Sequence, residues 1–275
     1  MISVLQLGTI DYATGLRLQE KLVELRKENS VSDVLLLLEH TPVITLGRNA
    51  KAVNVVVSAQ ELAKRGVEVF ESDRGGDVTF HGPGQLVGYP IFDLRSFTSS
   101  DGRRKTLGVI EYVRRLEEVL IRTCADFAIP AERVTGLTGV WTSTTQAARV
   151  HEPDRDTNSR ASREQAKIAA IGVHISRGVT SHGFALNVNT DLSYFDLIVP
   201  CGIASKPVTS MARESGKTYS LDEVAQSISR NFGAVFASQI RWLETLDALT
   251  QQLGVPMKPP AELRRLHNEE ERFWG

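Results

Sequence analysis

Five consecutive aliphatic residues, Val34-Leu35-Leu36-Leu37-Leu38, leave this chain few options. A strand sends alternate side chains to opposite faces, so one that is apolar at every position has no face for water. Val34–Glu39 therefore reads as the central strand of a sheet covered on both sides. Ile2–Leu7 reads as a second strand, and between the two Asp11 can cap a helix with Leu18, Leu22 and Leu25 on its inner face. The strongest helical pattern runs from Thr106 to Phe127. It sets Val109, Ile110, Val113, Leu116, Leu120, Cys124 and Phe127 inside, with Arg114, Arg115, Glu117 and Glu118 mostly outside. Ile168–Ile175 and Gly183–Val188 read as later strands, and Leu221–Phe236 and Ile240–Leu253 as a closing pair of helices.

The 275 residues, 41% of them hydrophobic, suffice for one large domain or two small ones. With 32 basic against 33 acidic side chains, the chain lacks the basic surplus that broad binding to nucleic acid or anionic membrane requires. No apolar run approaches the roughly 18 residues of a membrane span. Met1–Leu5 has neither the charge nor the apolar core of a signal peptide. Two cysteines, Cys124 and Cys201, form no disulfide framework and no zinc tetrad. The expectation is a soluble, reduced, cytoplasmic protein. The stretch Ser143–Gln165 has almost no large apolar residue and reads as a flexible polar loop. The composition divides the chain into a body, residues 1–240, and a peripheral helical tail, residues 241–275, with Pro256, Pro259 and Pro260 after Gly254.

Four stretches could carry chemistry. Arg74–Tyr89 holds five glycines and a proline in sixteen residues, which lets a ligand approach the main chain closely; its plain alternative is a tight hairpin followed by the strand Gln85–Asp93. It has no Gly-Lys-Ser/Thr ending and no following helix, so it is neither a Walker loop nor a dinucleotide fingerprint. In Lys167–His174 a lysine opens an apolar strand, where it either snorkels to the rim or, held in a dry cleft, trades protons near neutral pH. The third stretch is Ser181–Thr190. In the fourth, Ile198–Ile203, Cys201 stands between Pro200 and Gly202, a loop setting in which a thiol can face a cleft. Cys124, on the inner stripe of a helix, reads as a small buried hydrophobe. A free thiol is only a few per cent thiolate at pH 7, so Cys201 would need a cationic or basic neighbour, with His182 and Lys167 as candidates. The six histidines show no metal-ligand spacing.

Taken together, these stretches resemble the lipoyl (octanoyl) transferase family, in order from about Ile2 to Met211, with Leu35–Gly47 as a fifth matching segment. The resemblance implies an α+β (mixed α/β) fold of mixed sheets packed against helices, as in the catalytic domain of biotin and lipoate protein ligases. It implies transfer of octanoyl from octanoyl-acyl carrier protein to lipoyl domains of 2-oxoacid dehydrogenase and glycine cleavage complexes, with no cofactor and no metal. By the same resemblance Cys201 forms the thioester and Lys167 is the proton-shuttling partner. The acyl-binding segments fall on Arg74, Gly75, Gly76, Asp77, Val78, Thr79, Phe80 and His81, on Ala170, Ile171 and Gly172, and on Gly183, Phe184 and Ala185; His40 and His182 take supporting roles. The competing readings are an ATP-dependent lipoate or biotin ligase on the same fold, which would not need Cys201, and a non-catalytic acyl-carrier-binding relative.

Overall fold

The computed structural model describes residues 1–99, 106–144, 164–199, 207–246 and 248–249. Among these residues the main sheet has eight strands. Their spatial order is β11 (Ile240–Trp242), β1 (Ile2–Ile10), β2 (Asp33–His40), β6 (Gln85–Ile91), β10 (Val179–Asn187), β9 (Glu164–Ser176), β8 (Leu137–Thr144) and β7 (Glu132–Val134). β11, β1 and β2 run parallel; every other neighbouring pair is antiparallel. A smaller sheet orders β4 (Glu68–Glu71), β3 (Val43–Leu46) and β5 (Val78–His81).

The all-apolar strand lies inside, as its sequence requires. Leu35 and Leu37 of β2 enter one core with Leu116 and Leu120 of α3 (Val109–Asp126) and Ile228 and Phe232 of α5 (Leu221–Val235). Val34, Leu36 and Leu38 enter another with Leu18, Leu22 and Leu25 of α1 (Tyr12–Lys27). The Asp11 carboxylate caps α1, accepting the Thr14 N–H at 2.8 Å.

Four expectations are corrected. On α3 the buried stripe is Tyr112, Leu116, Glu117, Val119, Leu120, Thr123 and Cys124, while Ile110 is 80% exposed. The apolar residues alone misplace the stripe because a charged residue, Glu117, occupies part of it. Ile240–Trp242 is a strand, not the start of a helix, because the open edge of β1 accepts a parallel partner; Leu243, Leu246 and Leu249 then pack in the core beside α1. Position 240/241, where the composition places the tail boundary, thus falls within β11. Third, the strand expected at Gln85–Asp93 forms as β6, but no tight hairpin precedes it: β5 pairs with β3 in the small sheet and β6 with β2 and β10 in the main one, so Gly82-Pro83-Gly84 carries the chain between sheets. Fourth, the ends of the polar stretch are laddered, Ser143 with Gln165 and Thr144 with Glu164. Its residues 145–163, the Pro200-Cys201-Gly202 motif and the chain beyond 249 lie outside the described residues. Among the described residues no helix is long and apolar enough to cross a membrane.

If β2 is buried on both faces, truncation inside it is costly and truncation at the exposed start of α3 is not. Leu36→Ala should lower unfolding stability by about 2–5 kcal/mol, and Ile110→Ala should change it by less than about 0.5 kcal/mol. Urea unfolding monitored by circular dichroism measures both.

Candidate active site

The site begins with side chains that are too small to fill their places. On the α1 face of the main sheet, Val87 of β6, Ala185 of β10 and Ala170 of β9 stand side by side, and Gly183 stands opposite Gly172. This row forms the floor of a cavity of about 200 Å³. Leu137, Ile171, Phe184, Phe195 and Val208 add apolar surface around it.

The glycine-rich loop forms a wall. The Gly75 N–H donates to the Val173 carbonyl at 3.1 Å, which rests the loop on β9. A Cβ at Gly172 would stand 2.7 Å from the Gly75 oxygen, so only glycine admits this approach. The buried Arg74 guanidinium staples the loop to β3. Its Nε donates to Thr45 Oγ1 at 3.0 Å, its Nη2 to the Thr45 and Asp77 carbonyls at 2.6 Å each, and its Nη1 to the Gly75 carbonyl at 3.1 Å. The Asp77 carboxylate in turn accepts from Asn54 Nδ2 at 2.7 Å and from the Val78 N–H at 2.8 Å. Gly75, Gly76, Val78 and Thr79 line the cavity. Phe80 does not: its ring stacks on Tyr194 at 4.7 Å in the small core.

One end of the cavity is polar. His81 Nδ1 lies 2.7 Å from Gln85 Oε1, and Gln85 Nε2 donates to Asn187 Oδ1 at 2.9 Å and to the Phe80 carbonyl at 3.2 Å. That orientation of the amide makes His81 Nδ1 the donor. Behind the lining, His40 Nδ1 donates to the Ile10 carbonyl at 3.0 Å, so its Nε2 accepts the Tyr89 hydroxyl at 2.6 Å. His182 has a left-handed backbone (φ +54°), held by its N–H to Gln19 Oε1 at 2.7 Å, and its Nε2 meets Asp73 Oδ1 at 2.7 Å. Burial dominates the titration of all three rings. It pushes His81 down to about 3 and His40 down to about 4, and it lowers His182 although the Asp73 carboxylate pulls the other way.

Lys167 stands at the rim. Its main chain is bracketed by the returning segment, with its N–H donating to the Pro207 carbonyl and its carbonyl accepting the Thr209 N–H, both at 2.9 Å. Its ammonium lies 4.7 Å from the centre of the Trp141 ring. Of the residues singled out in the sequence, Arg74–Thr79, His81, Lys167, Ala170–Gly172 and His182–Ala185 all meet at this cavity. His40 and Phe80 stand behind it, and Cys201 lies outside the described residues. Cys124 is buried in the α3 core, where desolvation pushes its thiol up to about 12. Tyr12, Gln85, Tyr89 and Asn187 also line the cavity. Gln85 opens β6 and Asn187 closes β10, polar residues next to the apolar runs Leu86-Val87 and Phe184-Ala185-Leu186, which is the one signal that marks them; Tyr12 and Tyr89 carry no such mark.

The sequence matches the lipoyl protein ligase A/B catalytic domain family over residues 11–233. It is 60% identical to an octanoyltransferase of Koribacter versatilis over 98% of each chain, and 54% identical to one of Acidobacterium capsulatum over 92% of this chain and 98% of that one. The fold is similar to a chain from the structure of a bi-partite lipoate protein ligase and its E2 lipoyl domain from Thermoplasma acidophilum, with TM-score 0.62, 16% identity, and 95% and 94% of the two chains covered. It is also similar to lipoate-protein ligase A bound with ATP, at TM-score 0.60 and 15% identity over 96% and 98% of the chains. At such identities the two structures bear on the fold alone, and both share its mixed sheets packed against helices.

The depressed histidines set an acid limit on stability. A histidine kept neutral in the fold stabilises it above its unfolded pKa of about 6.5, and each pH unit below that costs up to about 1.4 kcal/mol per group until the folded value is reached. Stability should therefore fall as pH drops from about 6.5 toward 4, a window in which carboxylates with lowered pKa contribute little. Urea unfolding across pH 5–7 measures the slope, and His81→Gln should reduce it.

Proposed function

Because the chain belongs to the lipoyl protein ligase A/B catalytic-domain family, we propose that it is an octanoyltransferase that moves octanoyl from acyl carrier protein to a lysine amine of lipoyl domains, without ATP. The observation that carries the reading is the cavity itself. Its floor of glycine, alanine and valine and its apolar walls suit a saturated acyl chain, and its rim holds the side chain of Lys167. The ligase alternative is disfavoured because relatives at 50–60% identity are octanoyltransferases, whereas the likeness to ligases is one of fold. The acceptors, by the same reading, are the lipoyl domains of 2-oxoacid dehydrogenase and glycine cleavage complexes.

In this mechanism the Cys201 thiolate attacks the thioester carbonyl of octanoyl-acyl carrier protein. The new C–S bond forms, the carrier thiolate leaves and takes up a proton, and octanoate is held as an enzyme thioester. The acceptor amine then attacks that carbonyl, Lys167 in its neutral form takes the amine proton, and the Cys201 thiolate departs. Main-chain N–H groups of the glycine-rich loop stabilise the tetrahedral oxyanion; loss of one such donor typically costs about 3–4 kcal/mol. Arg74 acts through the loop it staples and does not need to touch the acyl group. His40, through Tyr89, and His182, through Asp73, support the polar end. Cys124 has no part, since a desolvated thiol is inert.

Incubation with octanoyl-acyl carrier protein and an apo lipoyl domain, with no ATP, should yield the octanoylated domain. With the carrier alone, one octanoyl group should map to Cys201 and be released by hydroxylamine. Cys201→Ser should trap none, and Cys124→Ser should acylate normally. Lys167→Arg should fail like Lys167→Ala, because a guanidinium cannot release its proton. Label on Cys124, normal turnover by Lys167→Arg, or transfer only from free octanoate with ATP would overturn the reading.

A further inference from the structure

Lys167 reaches the cavity only because the β8–β9 ladder is irregular. Val140 pairs with Ala169 and Trp141 with Lys167, so one extra residue, Ile168, is inserted in β9. In a regular strand Lys167 would share the face of Ala169 and Ile171 and enter the helix-side core. With the bulge, Ile168 and Ala169 both take that side, and Lys167 turns to the face of Ala170 and Gly172. The irregularity is matched on β8 at Gly139. Its φ of +113° suits glycine, and a Cβ there would stand 2.6 Å from the Ala169 carbonyl and 3.5 Å from Lys167 Cε.

The N–H of Gly139 donates to Glu117 Oε1 at 3.2 Å. Glu117 is the charged residue on the buried stripe of α3, and it is 0% exposed. Its other oxygen is held by Arg114 Nη1 at 2.6 Å and Arg133 Nε at 3.2 Å. A buried carboxylate is costly to desolvate unless paired and hydrogen-bonded, and an apolar residue of similar size would fill the stripe without that cost. The two arginines are partly exposed and would be satisfied by water, so they do not require a partner at this depth. The main-chain N–H beside the bulge does.

We propose that Glu117 is a positioning residue for Lys167, pinning the Gly139 main chain so that the bulge aims the lysine into the cavity. The inference rests on the reading of Lys167 as the proton shuttle. Glu117 does not touch the acyl group; it acts through Gly139 and the stem of Lys167.

The test is a double-mutant cycle in the ATP-free octanoyl transfer assay. Glu117→Leu should lower kcat at least 10-fold and change KM for octanoyl-acyl carrier protein less than 2-fold, while Glu117→Gln, which keeps an acceptor oxygen, should retain activity within about 3-fold. In a Lys167→Ala background, read as the residual single-turnover rate at high enzyme concentration, Glu117→Leu should cost less than 2-fold more, because the group it positions is gone. Equal losses in both backgrounds, or wild-type kcat in a folded Glu117→Leu protein, would overturn the proposal. Near-normal turnover by Lys167→Ala alone would instead sink the reading of Lys167 on which it rests. Should Glu117→Leu fail to fold, amide hydrogen exchange of the intact protein decides: the Gly139 N–H should be protected like its β8 neighbours, and exchange at the rate of an open loop would refute the pinning.

Discussion

A sheet that is apolar on both faces must be covered twice, and the rest of this structure follows from how unevenly that is done. On one face α3 and α5 lie over the central strands with a continuous layer of Leu, Ile and Phe. On the other, α1 lies across β6 and β10, and beyond it the loop from the small sheet comes to rest on β9. Between these two covers the floor residues are glycine, alanine and one valine, so the layers do not close. The cavity is thus what remains when small side chains stand where large ones would complete the packing.

On that side α1 packs by its leucines, and the loop is held by hydrogen bonds. Arg74 spends its guanidinium on main-chain carbonyls, which gives a glycine-rich loop a defined shape that its own side chains could not supply. Gln85 and Asn187 extend the same logic, running from His81 to the Thr209 carbonyl and so tying the polar end of the cavity to the segment that brackets Lys167. Buried polar groups need partners, and a chain of amides with both ends used tolerates few other arrangements.

The α3 side contributes in a less expected way. A helix that is otherwise a packing element brings one carboxylate into the core and delivers it to a strand irregularity. One inserted residue in β9 reverses which face every preceding side chain takes, a larger effect than any single contact could have.

From the sequence alone, elements with strong periodicity were readable: the buried strand Val34–Leu38, α1 with its Asp11 cap, the existence of α3, and α5. Of the segments that line the cavity, Arg74–Tyr89 was visible by its glycines, which mark close approaches, whereas Ala170–Gly172 and Gly183–Ala185 were marked by the family resemblance. What the sequence could not express was which strands pair. Val78–His81 and Gln85–Ile91 are nearly adjacent in the chain yet join different sheets, and Ile240–Trp242 becomes a strand because β1 offers an edge. Nor could it reveal that Glu117 lies inside, since the pattern assigns charge to water and only the fold brings Arg133 and the Gly139 N–H to its carboxylate beside Arg114. Local periodicity decides what an element is. Its partners, its register and the direction of Lys167 depend on contacts between residues far apart in the chain, and those exist only once the sheet has formed.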